Sequence, residues 1–107
     1  MTARVLIHVA AKAQRGEVIE IKTLIAHPME SGFRVGTNGN PIPRDIITLF
    51  TCRYNGDEIF RAEFSSAIAA NPFLSFSAIA GASGVVSLSW EDDDGVVQTE
   101  LVPITVT

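Results

Sequence analysis

One cysteine is all this sequence has. Cys52 has no second thiol in the chain, so neither an internal disulfide nor a thiolate zinc cluster can be built, and the redox compartment stays open on this ground. Basic charge is scarce as well: eight Lys and Arg stand against twelve Asp and Glu, for a formal net charge of -4. With so few and so scattered cations, no surface can track phosphates or hold anionic headgroups by charge, which excludes nucleic acid and membrane surfaces as partners. Long apolar runs are absent too. The run Val5 to Ala11 is interrupted by His8 and is not shaped like a secretory signal, and nothing approaches the ~20 apolar residues of a spanning helix. By its residues alone the chain is expected to be cytoplasmic, or to be carried elsewhere by something else.

What is present is ample apolar material. Hydrophobic residues make up 47% of the 107 positions and charged ones 19%, enough for one buried core and too short a chain for two. The apolar residues recur at period two or in short β-branched runs between Gly, Pro and Asn, which predicts strands, with no repeat and no helix long enough for a crossover. A first strand is expected near Arg4 to Val9 and a second from Glu17 to Ile25, where Ile19, Ile21, Thr23 and Ile25 share a face, with Gly16 at the turn between. His27 to Pro43 breaks the pattern with prolines and glycines and is predicted to be a long surface loop.

Ile46 to Tyr54 predicts a strand with Ile46, Phe50, Cys52 and Tyr54 on one side and Ile47 and Leu49 on the other. Asn55-Gly56 then marks a tight hairpin, because both residues tolerate positive φ, and Asp57 to Phe64 returns with Phe60, Ala62 and Phe64 inward. Ser65 to Ala70 is a connector of at most one helical turn, ended by Asn71-Pro72. Further strands are expected at Leu74 to Ala80, Val85 to Trp90 and Val96 to Val106, with Pro103 indicating an edge, bulge or break in the last. About seven antiparallel strands point to an all-β, immunoglobulin-like sandwich as a single domain over residues 1–107.

No catalytic constellation emerges. Gly81-Ala82-Ser83-Gly84-Val85 has Val where a nucleophile elbow needs its last glycine, and reads as a turn. Aligning Gly95 of Asp92-Asp93-Asp94-Gly95 with the glycine of a calcium loop puts Trp90 and Leu101 at carboxylate positions, so this too reads as a hairpin turn. His27-Pro28-Met29 mixes ligand types, yet only Cys52 and Met1 could join it around a soft metal, and a structural loop is the simpler reading. No metal and no cofactor is expected. Phe60, Phe64, Phe73 and Phe76 exceed what a small sandwich already fed by Trp90 needs, so some of them either fill the core or face a partner.

The ordered set Ile21-Lys22-Thr23-Leu24-Ile25, His27-Pro28-Met29-Glu30-Ser31-Gly32-Phe33-Arg34 and Ile42-Pro43-Arg44-Asp45-Ile46-Ile47 resembles the SoxZ family. Phe50-Thr51-Cys52, Tyr54-Asn55-Gly56, Ala70-Asn71-Pro72-Phe73 and Trp90-Glu91-Asp92-Asp93-Asp94-Gly95 continue the match in order over nearly the whole chain. The resemblance implies a non-catalytic subunit that binds SoxY, the sulfur carrier of bacterial thiosulfate oxidation. It implies further that SoxY, not this chain, bears the sulfur on a glycine-flanked cysteine of a flexible arm, which the ending Pro103-Ile104-Thr105-Val106-Thr107 lacks. A periplasmic heterodimer is implied, co-exported on SoxY's twin-arginine signal. It would dock transiently to the Sox cytochrome, hydrolase and sulfur dehydrogenase.

Expected partner contacts are His27, Met29 and Arg34 of the loop with Phe60, Phe64, Phe73 and Phe76. Cys52 is either a buried thiol or the site of a disulfide to SoxY. A small thiol-transfer or redox protein using Cys52, with His27, is the rival reading, and an adhesion-type sandwich a third. Without its partner, an exposed sandwich edge is expected to favour a homodimer.

Overall fold

In the computed structural model, which describes all 107 residues, the chain forms eight strands and no helix. They are β1 (Val5–His8), β2 (Lys12–Ala13), β3 (Val18–Ile25), β4 (Ile47–Tyr54), β5 (Asp57–Glu63), β6 (Phe73–Ile79), β7 (Gly84–Asp92) and β8 (Val97–Val106). Two sheets face each other, a three-stranded one in the order β1-β3-β6 and a five-stranded one in the order β2-β8-β7-β4-β5. Every pairing is antiparallel except β2 with β8. The strand beyond the expected seven is β2, which at two residues is too short to leave a periodic signal.

Alternation builds the core. Ile19, Ile21, Thr23 and Ile25 of β3 meet Phe50 and Cys52 of β4, Val86, Leu88 and Trp90 of β7 and Ile104 of β8, all buried. Aromatic rings occupy the middle, with Phe50 5.3 Å from Trp90 and about equally far from Phe60 and Phe76, at 6.1 and 6.0 Å between centroids. At the start of β4 the expected alternation fails, since Ile46 and Ile47 are both fully buried. The register against β7 shifts between Ile47 and Leu49, so Thr48 is an extra residue and Ile47 turns to the same side as Phe50. Asn55 and Gly56 close the β4–β5 hairpin with φ of 49° and 88°, as a two-residue turn of this type requires.

Pro103 sits within β8, opposite Val85 of β7. The amides of Thr105 and Thr107 donate to Ala11 and Ala13 on the far side of β8 from β7. Two residues earlier, Pro103 aims its missing donor the same way, beyond the reach of β2, so the proline lies on an open edge.

The molecule is long for its size. Its radius of gyration is 16.1 Å, against ~13 Å for a compact chain of this length, and it measures 59 × 20 × 20 Å. The ten residues of β8 span only ~33 Å. The segment between β3 and β4 folds into an irregular two-stranded arm. Glu30 and Asp45 exchange both backbone hydrogen bonds at its base, at 2.9 Å each, and Val35 pairs with Pro41 near its tip.

Candidate interaction surface

Cys52 lies in the second half of β4 with none of its surface exposed, and burial pushes its thiol up to about 11. A thiol so placed is neither ionised at neutral pH nor reachable, so the chemistry of a nucleophile, a carrier or a partner disulfide has no access to it in this fold. Of the two states expected for Cys52, the buried thiol is the one the geometry supplies. His27 is engaged elsewhere, with Asn71, Met29 and Asp45.

Those bonds hold the foot of the arm. Met29 adopts φ of 50°, unusual for a residue with a side chain, and its amide donates to His27 Nδ1 at 3.0 Å. The backbone of His27 is in turn clamped by Asn71, whose side-chain oxygen accepts its amide and whose own amide donates to its carbonyl. Since Nδ1 accepts, the ring proton belongs to Nε2, which faces Asp45 at 3.9 Å. The turn carries Met29 into the core, where its sulfur accepts the amide of Ile47 at 3.3 Å. Part of the expected surface loop is therefore interior, and His27 and Met29 are not surface residues.

Asp93 fixes the other side of the foot. Its carboxylate accepts two hydrogen bonds from Arg44 and one from the amide of Ile46, and the Arg44 guanidinium holds that carboxyl below the usual aspartate range. Arg34 is exposed and donates to both oxygens of Glu30, which likewise lowers the Glu30 carboxyl. Sequence reasoning treated Asp93 as a turn residue, and it is also an anchor.

The four expected aromatics part company. Phe60 and Phe76 stack face to face at 4.2 Å and pack on Phe50, and Phe64 is half-buried against the same core. Phe73 is the one on the surface, 57% exposed. It lies in a row with Leu24 and Leu6 across the outer face of the three-stranded sheet, beside a shallow apolar groove of about 290 Å³. Two larger depressions exist, one of about 550 Å³ between β5 and β6, and one of about 460 Å³ lined by Arg61, Glu63, Glu91 and Asp93. No group of three or more His, Cys, Asp and Glu side chains converges as metal ligands would.

On the arm stand two residues that sequence reasoning missed: Phe33, 83% exposed, and Val35, 60% exposed. Pro41, beside Val35, and Pro43 are exposed as well. Hydrogen bonds along this stretch run within the arm itself, from Ile42 to Arg34, Gly36 to Asn40 and Phe33 to the Ser31 hydroxyl. The signal was present as two large apolar residues, spaced by two, in a loop with no apolar set of its own to bury them.

A family model described as Sulphur oxidation protein SoxZ matches residues 7–103, almost the whole sandwich with its arm. The chain belongs to the SoxZ family. No curated protein matches the sequence significantly. Among solved structures, this SoxZ-family chain is similar to the superoxide reductase (neelaredoxin) of Ignicoccus hospitalis, with TM-score 0.75 and 15% identity over 98% of this chain and 82% of that one. It is also similar to the sulfur carrier protein SoxY of Chlorobium limicola f thiosulfatophilum, with TM-score 0.66 and 9% identity over 96% and 78%. At such identities these likenesses show a shared sandwich fold, and chemistry does not follow from them.

Proposed function

We propose that this chain is the non-catalytic subunit of a carrier complex, binding SoxY and holding it so that sulfur intermediates on SoxY's cysteine reach the enzymes of thiosulfate oxidation. The observation that carries this reading is the enclosure of Cys52: within the SoxZ family, a chain whose one thiol is sealed and un-ionised contributes by position rather than by bearing sulfur. Its exposed apolar residues, gathered on an arm and on the outer face of the three-stranded sheet, supply surface for a protein partner. Residence in the periplasm with SoxY, and transient contact with the Sox cytochrome, hydrolase and sulfur dehydrogenase, are parts of the same proposal. So is a homodimer of the chain when isolated.

Native intact-mass spectrometry on the chain mixed with its SoxY, before and after thiosulfate and the pathway's cytochrome are added, tests it. The expected result is a one-to-one complex with added mass on SoxY alone. Added mass at Cys52, or no complex under gentle conditions, would overturn the reading.

A further inference from the structure

We infer that the outer face of the three-stranded sheet is a self-complementary surface, through which two copies of this chain pair face to face about a two-fold axis crossing the strands at Ile21 and Phe76. This deepens the self-association included in the reading above by naming its surface, and it stands or falls apart from SoxY binding.

The pattern of the face carries it. Outward-facing residues of β3 and β6 form four cross-strand rows: Val18 with Ile79, Glu20 with Ser77, Lys22 with Ser75, and Leu24 with Phe73. Along the strands the rows run apolar, polar, polar, apolar, the same from either end. Val18, Ile79 and Phe73 are each more than half exposed, so both apolar rows favour being covered. The inner rows carry opposite charges, with Glu20 and Lys22 3.4 Å apart and both open to solvent. The Ser75 hydroxyl adds only a 3.4 Å contact to Glu20, which leaves room for a second cation. β1 reaches half of this length, adding Leu6 to the Leu24 row and His8 to the Lys22 row.

A two-fold pairing sets one surface against itself, so that residue i meets j and j meets i. Turning a second copy over with its strands reversed sets Val18 on the partner's Leu24 and Ile79 on the partner's Phe73. In the middle, Glu20 meets the partner's Lys22 and Lys22 meets the partner's Glu20, a square of alternating sign. The other two-fold, with strands running the same way, sets like charge on like charge and is disfavoured. Apolar rows alone would suit any partner; a charge order that complements itself on reversal specifies a second copy. The reversed arrangement is compatible with aligned packing of two sheets, whose strand axes lie within about 30° of one another. The face is small, roughly 23 Å along seven residues and roughly 14 Å across three strands. The pairing is therefore weak and populated at high chain concentration.

Sedimentation equilibrium of the isolated chain, from about 10 µM to about 1 mM, tests it on the wild type, Lys22→Glu, Glu20→Lys and an equimolar mixture of these two variants. The wild type should dimerise. Either variant alone brings like charges together across the axis and should weaken dimerisation roughly tenfold or more, with melting temperature unchanged. In the mixture one chain carries two acids and the other two bases, so the heterodimer should form at least as readily as the wild-type dimer. Leu101→Ser, an exposed apolar position on the outer face of the five-stranded sheet, should match the wild type. A wild type that stays monomeric throughout, dimers indifferent to both charge changes, or a mixture no better than its components overturns the inference. SoxY binding by the wild type, measured separately, decides the functional reading: a chain that pairs with itself through this face and ignores SoxY removes that reading and leaves the inference standing.

Discussion

Cys52 and Thr23 face the same interior and behave oppositely there. A thiol is nearly apolar and packs without a partner, and the cost of its enclosure appears only when it ionises. Because its pKa rises from about 9 to about 11 on folding, the unfolded chain loses its proton first, so stability should be full below pH 9 and decline between pH 9 and 11. Cys52→Ala should flatten that alkaline limb in a set of urea melts, and iodoacetamide should label Cys52 in denaturant only. The Thr23 hydroxyl is buried without any hydrogen-bond partner. Thr23→Val keeps the shape and removes the orphaned group, so it should raise stability by about 1 kcal/mol, read from the urea midpoint. Polar choice at one inward β position was visible in the sequence, but the absence of a partner was not, since a hydroxyl finds its bond only after the sheets meet.

At the scale of elements, what the sequence disclosed was what alternation writes. β3 and β7 were legible because Ile19-Ile21-Thr23-Ile25 and Val86-Leu88-Trp90 repeat at the period of a pleat, and the β4–β5 hairpin because Asn55-Gly56 has little other use. The bulge at Thr48 was hidden, since Ile46-Ile47 fits either face and the inserted residue shows only in the register. The arm was hidden for a related reason: its cross-links are backbone bonds between residues far apart in the loop and an ion pair from Arg44 to Asp93 outside it, and its prolines and glycines read as mere interruption. The family resemblance covered its residues without saying what they form. Two variants test these elements. Asp93→Ala should loosen the arm, at a cost of about 1 kcal/mol in stability, with faster hydrogen exchange at Ile46 and Asp45. The stabilisation that Asp93 gives is present above the ordinary aspartate pKa and is lost as pH falls below it, because pairing with Arg44 lowers its folded-state value. Gly84→Ala should cost about 2 kcal/mol, since a Cβ there would run into the Asn55 side chain, which already binds the amide of Val85 at 2.9 Å. Adding Asn55→Gly should recover part of the loss, as chemical denaturation of the pair would show.

For the whole molecule, the sandwich keeps its two long connections, residues 26–46 and 64–72, at one end, and the links at the opposite end are each of four residues or fewer. Such a division sets irregular loops on one pole and closes the other with short turns. It also separates two kinds of sequence: the core tolerates exchanges that keep volume, while the long loops carry side chains that the packing of the sandwich does not explain. That is why the fold could be read from periodicity, whereas Phe33 and Val35 could not.

The one parallel contact gives the molecule a further property. β1 enters at the arm end, β2 runs alongside β8 in the same direction, and β8 leaves at the other end. Tension along the long axis therefore slides β1 over β3 and β2 over β8, straining the bonds of Thr105 and Thr107 to Ala11 and Ala13 all at once instead of unzipping them one by one. Single-molecule pulling through the two ends should meet an abrupt yield point, the mark of a domain loaded in shear.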